Sequence, residues 1–232
     1  MQKFYRSAIA LSALLFGAAT GYAQEASRVV AGGGISVAGW QGRIDAREAA
    51  QGATLDGAKL AQEGDALHIT TGPAVVYWNP TNRATGSYTV SATFHEPEYM
   101  NLNNHPHPYG IFIGGNELGT DKQSLLYCAA YGNGSFIVRG FGPEPFALNG
   151  RRPEANEAVN SAAGQGQPVT QEIAVTVHPD RVECSINGTV VGSYPKSDVV
   201  QSGRLVSTDG IYGIRAAHNT EVLVSNLKVT QH

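Results

Sequence analysis

Between a strand rich in Ser and Thr and a Gly-flanked apolar run, the chain concentrates His95, Glu96, Glu98, Asn101, Asn103, Asn104, His105 and His107. A His-x-His pair can bind a divalent metal, and neighbouring Glu and Asn side chains can add oxygen ligands. Pro106 and Pro108 hold this piece extended, so a plain polar loop is the simpler reading. The sequence requires no cofactor, and a divalent metal on His105 and His107 is the one candidate it offers. His95 continues the alternation of Thr89, Ser91 and Thr93 and so shares their face.

Aromatic residues are the second group that could do chemistry. Trp40, Trp78, Tyr109, Tyr131 and Phe141 can present planes on which the C–H faces of sugar rings pack, or they can fill a core. Arg139 and Arg215 sit in strands among apolar neighbours, where a guanidinium needs a partner or a bound anion; a salt bridge is the simpler reading for both. The expected site is a saccharide groove formed by Ser87–Phe94, His95, Glu96, the His105/His107 loop and Tyr109, with Trp78 and Arg139 as further ligand contacts. No catalytic residue is assigned.

The elements that must position these groups are strands. In Ser87–Phe94, Tyr88, Val90, Ala92 and Phe94 face one way and Ser87, Thr89, Ser91 and Thr93 the other. Glu172–Tyr194 alternates twice around a His178-Pro-Asp turn and then folds back at Asn187-Gly188, a pair suited to the positive backbone angles of a tight hairpin. Tyr109–Ile113, Leu125–Ala130 and Ser135–Arg139 add three more strands, the last two joined across Tyr131-Gly-Asn-Gly. Ile211–Ala216 and Glu221–Val229 close the domain, and a parity change between Val222/Val224 and Leu227/Val229 predicts a bulge near Ser225. The Ala46–Gly52 piece (AREAAQG) is the one stretch that could hold a short helix.

Gly140–Gln171 breaks the pattern for far longer than the ~12–15 residues usual in a structureless loop, which predicts a surface flap or mobile loop beside the groove. At the N-terminus, Lys3 and Arg6, an apolar run from Ala8 to Ala19, and small residues ending at Ala23 have the layout of a secretory signal peptide. The expected division is therefore a signal peptide over 1–23, a flexible Gly/Ala-rich lead-in over 24–34, and one domain over 35–232, periplasmic or secreted. The apolar run is too short to span a membrane.

Composition narrows the partners. The 232 residues carry a formal charge of −3, which gives nothing to attract nucleic acid or anionic lipid. Charged residues are only 15%, yet apolar content is 42% with 28 Gly, a mixture of short strands and tight turns and not of disorder. Cys128 and Cys184 are the only cysteines. In an exported chain they can bridge, or stand as two buried thiols.

From Asp180-Arg-Val through Asn187-Gly188 and Val191-Gly-Ser-Tyr-Pro, then Asp209-Gly-Ile-Tyr-Gly-Ile-Arg and Val222-Leu-Val-Ser-Asn-Leu-Lys-Val, the chain resembles the C-terminal half of concanavalin A-like lectin/glucanase jelly rolls. Within that superfamily, Gly210, Ile211, Gly213, His218 and Asn226 are similar to the closing motif of the 3-keto-disaccharide hydrolase family. The resemblance implies an all-β, antiparallel sandwich of jelly-roll type, and places Cys128 and Cys184 on neighbouring inward-facing strands. Where such hydrolases carry Asn-Ser-Gly-Ile-Phe-Phe-Arg, this chain reads His107-Pro-Tyr-Gly-Ile-Phe-Ile-Gly-Gly. The Glu-x-Asp-x-x-Glu run that gives retaining glucanases their paired carboxylates is absent. Saccharide binding therefore ranks first, a 3-keto-glycoside-processing hydrolase or lyase second, and a structural or protein-binding envelope protein third.

Overall fold

The computed structural model describes residues 26–232, so the expected signal segment lies outside the described residues. Among the described residues, sixteen strands form two sheets packed face to face. The first sheet has the spatial order β1 (Gly34–Ile35), β3 (Ala58–Glu63), β4 (Ala66–Thr71), β16 (Glu221–Gln231), β6 (Tyr88–Glu96), β12 (Val169–Val177), β13 (Arg181–Ile186), β14 (Thr189–Pro195). The second runs β10 (Phe146–Ala147), β9 (Ser135–Phe141), β8 (Ser124–Tyr131), β7 (Tyr109–Asn116), β15 (Gly210–Ala216), β5 (Val75–Ala84), β2 (Gln41–Ile44), with β11 (Glu154–Ala155) also paired to β9. All pairings are antiparallel except β1 with β3. Two one-turn helices, α1 (Ala46–Ala49) and α2 (Lys196–Val199), complete the set with a 3-10 turn at Leu55–Gly57. No described helix is long and apolar enough to cross a membrane.

Alternation places the core. In the first sheet Tyr88, Val90, Ala92 and Phe94 of β6 point inward with Ile173, Val175 and Val177 of β12 and Val182 and Ile186 of β13. They meet Val75, Tyr77, Tyr109, Ile111, Ile113, Leu126, Phe136 and Ile214 from the second sheet. Cys128 on β8 and Cys184 on β13 belong to opposite sheets, face each other across this core and are joined by a disulfide with Cα atoms 5.9 Å apart. The bridge closes the sandwich across its two layers and joins the two inward-facing cysteines that were expected to lie near one another.

Several local signals fold as their residue types require. Asn187 and Gly188 take φ of 50° and 81° and turn β13 into β14. The register of β16 against β6 shifts between Ser225 and Lys228, the expected bulge. α1 occupies part of the one stretch with helical character, whereas α2 was not anticipated.

The segment after Phe141 is irregular and mostly exposed, a surface stretch as expected, and it is tied down at several points. β10 and β11 both pair with β9, Asn149 Oδ1 accepts from the Val138 amide at 2.9 Å, and Asn160 Nδ2 donates to the Thr170 carbonyl at 2.7 Å. Asn side chains here supply the backbone partners that a strand would otherwise supply. The described part of the lead-in is held in the same way: the Arg28 amide donates to Asn219 Oδ1 at 2.7 Å, and β1 adds to the sheet edge.

Candidate functional site

Strands β7, β8 and β9 are buried along almost their whole length on both faces. That is why YGIFI, LLYCAA and SFIVR read as continuous apolar runs instead of alternating. Their outward side chains, Phe112, Leu125, Tyr127, Ala129, Tyr131 and Ile137, join Val76 and Trp78 of β5 in a second apolar cluster on the outer face of the second sheet. Gly213 keeps that face flat. A Cβ there would stand 2.3 Å from the Tyr77 carbonyl oxygen and 2.7 Å from the Phe112 ring, so only glycine lets the ring lie across β15.

At the edge of this apolar face a cavity of about 490 Å³ opens, a size typical of small-molecule sites. It is lined by Arg43 from β2, Asp45 and Arg47 at α1, Gln123 before β8, and Phe141 at the end of β9. Arg215 on β15 lies beneath, with its guanidinium carbon 5.4 Å from the Phe141 ring centre and 5.7 Å from that of Tyr127. The two rings stack on each other at 6.0 Å. Asp45 grips Arg215 through two hydrogen bonds, Nη1 to Oδ1 and Nη2 to Oδ2, both 2.6 Å. Burial disfavours the Arg215 charge, and the Asp45 carboxylate more than offsets this, leaving the guanidinium above its ordinary range.

Around this floor several buried polar atoms have no hydrogen-bond partner among the described residues. They include Arg43 Nη1, Gln123 Oε1 and Arg139 Nε. Arg43 spends its Nη2 on Asp121 Oδ1 at 2.7 Å, and Arg139 spends its Nη2 on the Arg151 carbonyl at 2.8 Å. The cleft thus brings polar side chains and the Phe141 ring together. Burial pushes the Tyr131 hydroxyl up to about 12 against the pull of Arg139, so it stays a neutral hydrogen-bonding group at pH 7.

The residues expected to share one groove are distributed over four places. Trp78 and Arg139 lie on the outer face of the second sheet, and neither lines the cleft. His95 is on the opposite outer face, that of the first sheet, with Nδ1 2.9 Å from Thr170 Oγ1. Tyr109 is fully buried between the sheets and stacks on Phe94 at 5.7 Å. His105 and His107 meet His218 at the β15–β16 turn, their ring centres 4.3 Å (His105 to His107) and 4.0 Å (His107 to His218) apart. The reason is topological: β6 and β7 belong to different sheets, so no single groove can be bounded by the outer face of one and the side chains of the other.

Glu96 is also buried, at the inner end of β6. Burial pushes its carboxyl up to about 7, while the Met100 amide, 3.4 Å from Oε1, and the Tyr109 hydroxyl pull it down. A Cβ on Gly132 would lie 2.7 Å from Glu96 Oε2, which shows how tightly the hairpin closes over it.

Arg43, Asp45 and Gln123 were not anticipated as site residues. The available signal was the unbroken apolar character of β7–β9 combined with Arg139 and Arg215, two cations set in strands that have no exposed face.

No family model matches the sequence, and no curated protein does. Solved structures do match the fold. The chain is similar to a carbohydrate-binding module from Bacillus subtilis at 6% identity and a TM-score of 0.55, over 85% of this chain and 98% of that one. It is similar to a Bacillus subtilis protein of unknown function with a galectin-like fold at 13% identity and a TM-score of 0.55, over 83% and 89%. The fold is an all-β, antiparallel-rich sandwich like that galectin-like fold, the class that the resemblance implied.

Proposed function

We propose that this chain is a carbohydrate-binding jelly-roll domain, exported to the periplasm or beyond, whose saccharide occupies the cleft on the outer face of the second sheet. The observation that carries the proposal is the cavity of about 490 Å³ in which the Phe141 ring stands among the polar side chains of Arg43, Asp45, Asp121 and Gln123. A sugar supplies hydroxyls for the polar side chains and an apolar C–H face for the ring. The similarity in fold to a carbohydrate-binding module supports this use of the cleft. Export is supported by the Lys3-to-Ala23 layout and by the Cys128–Cys184 bridge, a feature of oxidising compartments.

The similarity of Gly210, Ile211, Gly213, His218 and Asn226 to the 3-keto-disaccharide hydrolase motif favours a second reading, in which the same cleft turns its ligand over. Screening on a glycan array, followed by product analysis with glycosides and their 3-keto derivatives, separates the two. Capture of a defined glycan without product supports the binding domain; product formation replaces it with the enzyme. Capture of no glycan and turnover of none removes both.

A further inference from the structure

We propose that His105, His107 and His218 form a binding site for one divalent first-row transition ion, with zinc the first to test, and that Glu48 backs the site from behind His218. The inference stands on residues outside the saccharide cleft and is independent of that reading.

The three imidazoles come from two connections distant in sequence. His105 and His107 lie in the segment that carries the chain from β6 in the first sheet to β7 in the second, and His218 lies in the turn from β15 back to β16. Hydrogen bonds on both sides of the cluster clip these connections together. Asn103 Nδ2 donates to the Asn219 carbonyl at 2.7 Å, and the Ala217 amide donates to the Pro108 carbonyl at 3.0 Å. The bonds flank His105–His107 on one strand of chain and His218 on the other, so the rings converge by construction and not by the drift of exposed side chains.

The nitrogen donors, one from each ring, all lie within 4.8 Å of one another. Tetrahedral zinc with Zn–N bonds of roughly 2.0–2.1 Å places its donors about 3.3 Å apart. Contraction by up to about 1.5 Å, within reach of side-chain rotation, closes the site. The exposed member, His105, can make that movement while buried His107 stays in place. Three nitrogen ligands with no thiolate suit zinc, copper, nickel or cobalt, and leave a fourth position for water or a ligand atom.

Converging imidazoles repel one another when protonated. Imidazole ligates a metal through an unprotonated ring nitrogen, and the buried His107 ring lies 4.0 Å from that of His218. An ion shared by the three rings turns the same proximity into bonds. Behind them, the Glu48 side chain is buried, Oε2 accepts from the Ala74 amide at 2.5 Å, and Oε1 stands 3.9 Å from His218 Nδ1. A carboxylate on the far nitrogen of a ligating imidazole is the usual support of such a site, since it fixes the tautomer and raises basicity. With Nδ1 turned to Glu48, Nε2 is the His218 donor in this assignment.

The test uses the full mature chain, stripped with chelator and titrated with Zn²⁺, alongside Co²⁺ whose visible absorption reports a low-coordinate nitrogen site. One ion per chain is expected. His107→Ala and His218→Ala should each weaken binding by about 100-fold and His105→Ala by about 10-fold or more, while Glu48→Gln should cost about 10-fold, as supporting residues do. His95→Ala, on the opposite outer face, should bind as the wild type does. If His107→Ala does not fold, the exposed His105→Ala carries the test. Binding of Zn²⁺ that is equally strong in wild type and in His105→Ala and His218→Ala overturns the proposal, as does the absence of binding to wild type at micromolar concentration.

Discussion

Arg215 and Asp45 are locked by two parallel 2.6 Å hydrogen bonds beneath the cleft, a paired geometry that keeps a buried guanidinium charged inside an apolar face. Removing one member leaves the other buried and uncompensated. Asp45→Ala should therefore destabilise the fold by about 3–5 kcal/mol, whereas the double change Asp45→Ala with Arg215→Met should recover most of that loss. Denaturant unfolding of the two variants and wild type measures this directly; a single variant as stable as wild type contradicts the account of the pair.

Glu96 predicts a pH dependence of definite sign. Its folded value near 7 lies above the value of about 4.5 for an unfolded glutamate, so the native state holds the proton more tightly. Its contribution is fully present below about pH 4.5 and is lost as pH rises through 7. Glu96→Gln removes that dependence. The stability of this variant relative to wild type should rise by on the order of 2 kcal/mol between pH 5 and pH 8. A difference that stays constant across that range would place the carboxyl in water.

The disulfide between Cys128 and Cys184 spans 56 residues of chain and links the two sheets. Thiol titration of the denatured, unreduced protein should find no free thiol. Replacing both cysteines by alanine should cost about 4 kcal/mol, chiefly because the unfolded chain regains its freedom. Two titratable thiols would show the bridge absent.

Gly213→Ala tests how closely the Phe112 ring lies on β15. The added methyl meets the Tyr77 carbonyl and that ring, and overpacking of this kind should cost roughly 1–3 kcal/mol. Gly164→Ala, at a position with nothing within 4 Å of a Cβ, is the control and should change little. Equal unfolding midpoints for the two variants would mean that the second sheet yields where the packing says it cannot.

Much of the fold is written in local patterns. The alternation in Ser87–Phe94, the Asn187-Gly188 turn and the parity change in β16 each depend on neighbours within a few residues, and each folds as those residues dictate. The site depends instead on which sheet each strand joins. Residue types place His95 and Tyr109 close in sequence, but nothing local says that β6 and β7 part into different layers, which sends one side chain to an outer surface and the other into the core. Asp45 and Arg215, and likewise His107 and His218, meet only through long-range pairing. Their sole local trace was a charge set in an apolar strand or a histidine in a turn. The Gly140–Gln171 stretch shows no alternation for a related reason: Asn149 and Asn160 hold it by bonding to distant backbone, and side-chain bonds of that kind leave no periodicity.

The central claim is the location of the saccharide, and the most direct measurement is calorimetric titration of the array-identified glycan into wild type, Phe141→Ala, Arg43→Ala and His95→Ala. The cleft account predicts that Phe141→Ala and Arg43→Ala each weaken binding by about tenfold or more, equivalent to about 1.4 kcal/mol, while His95→Ala binds as wild type does. Unchanged affinity in both cleft variants, with loss of binding in His95→Ala, would contradict it and place the sugar on the outer face of the first sheet.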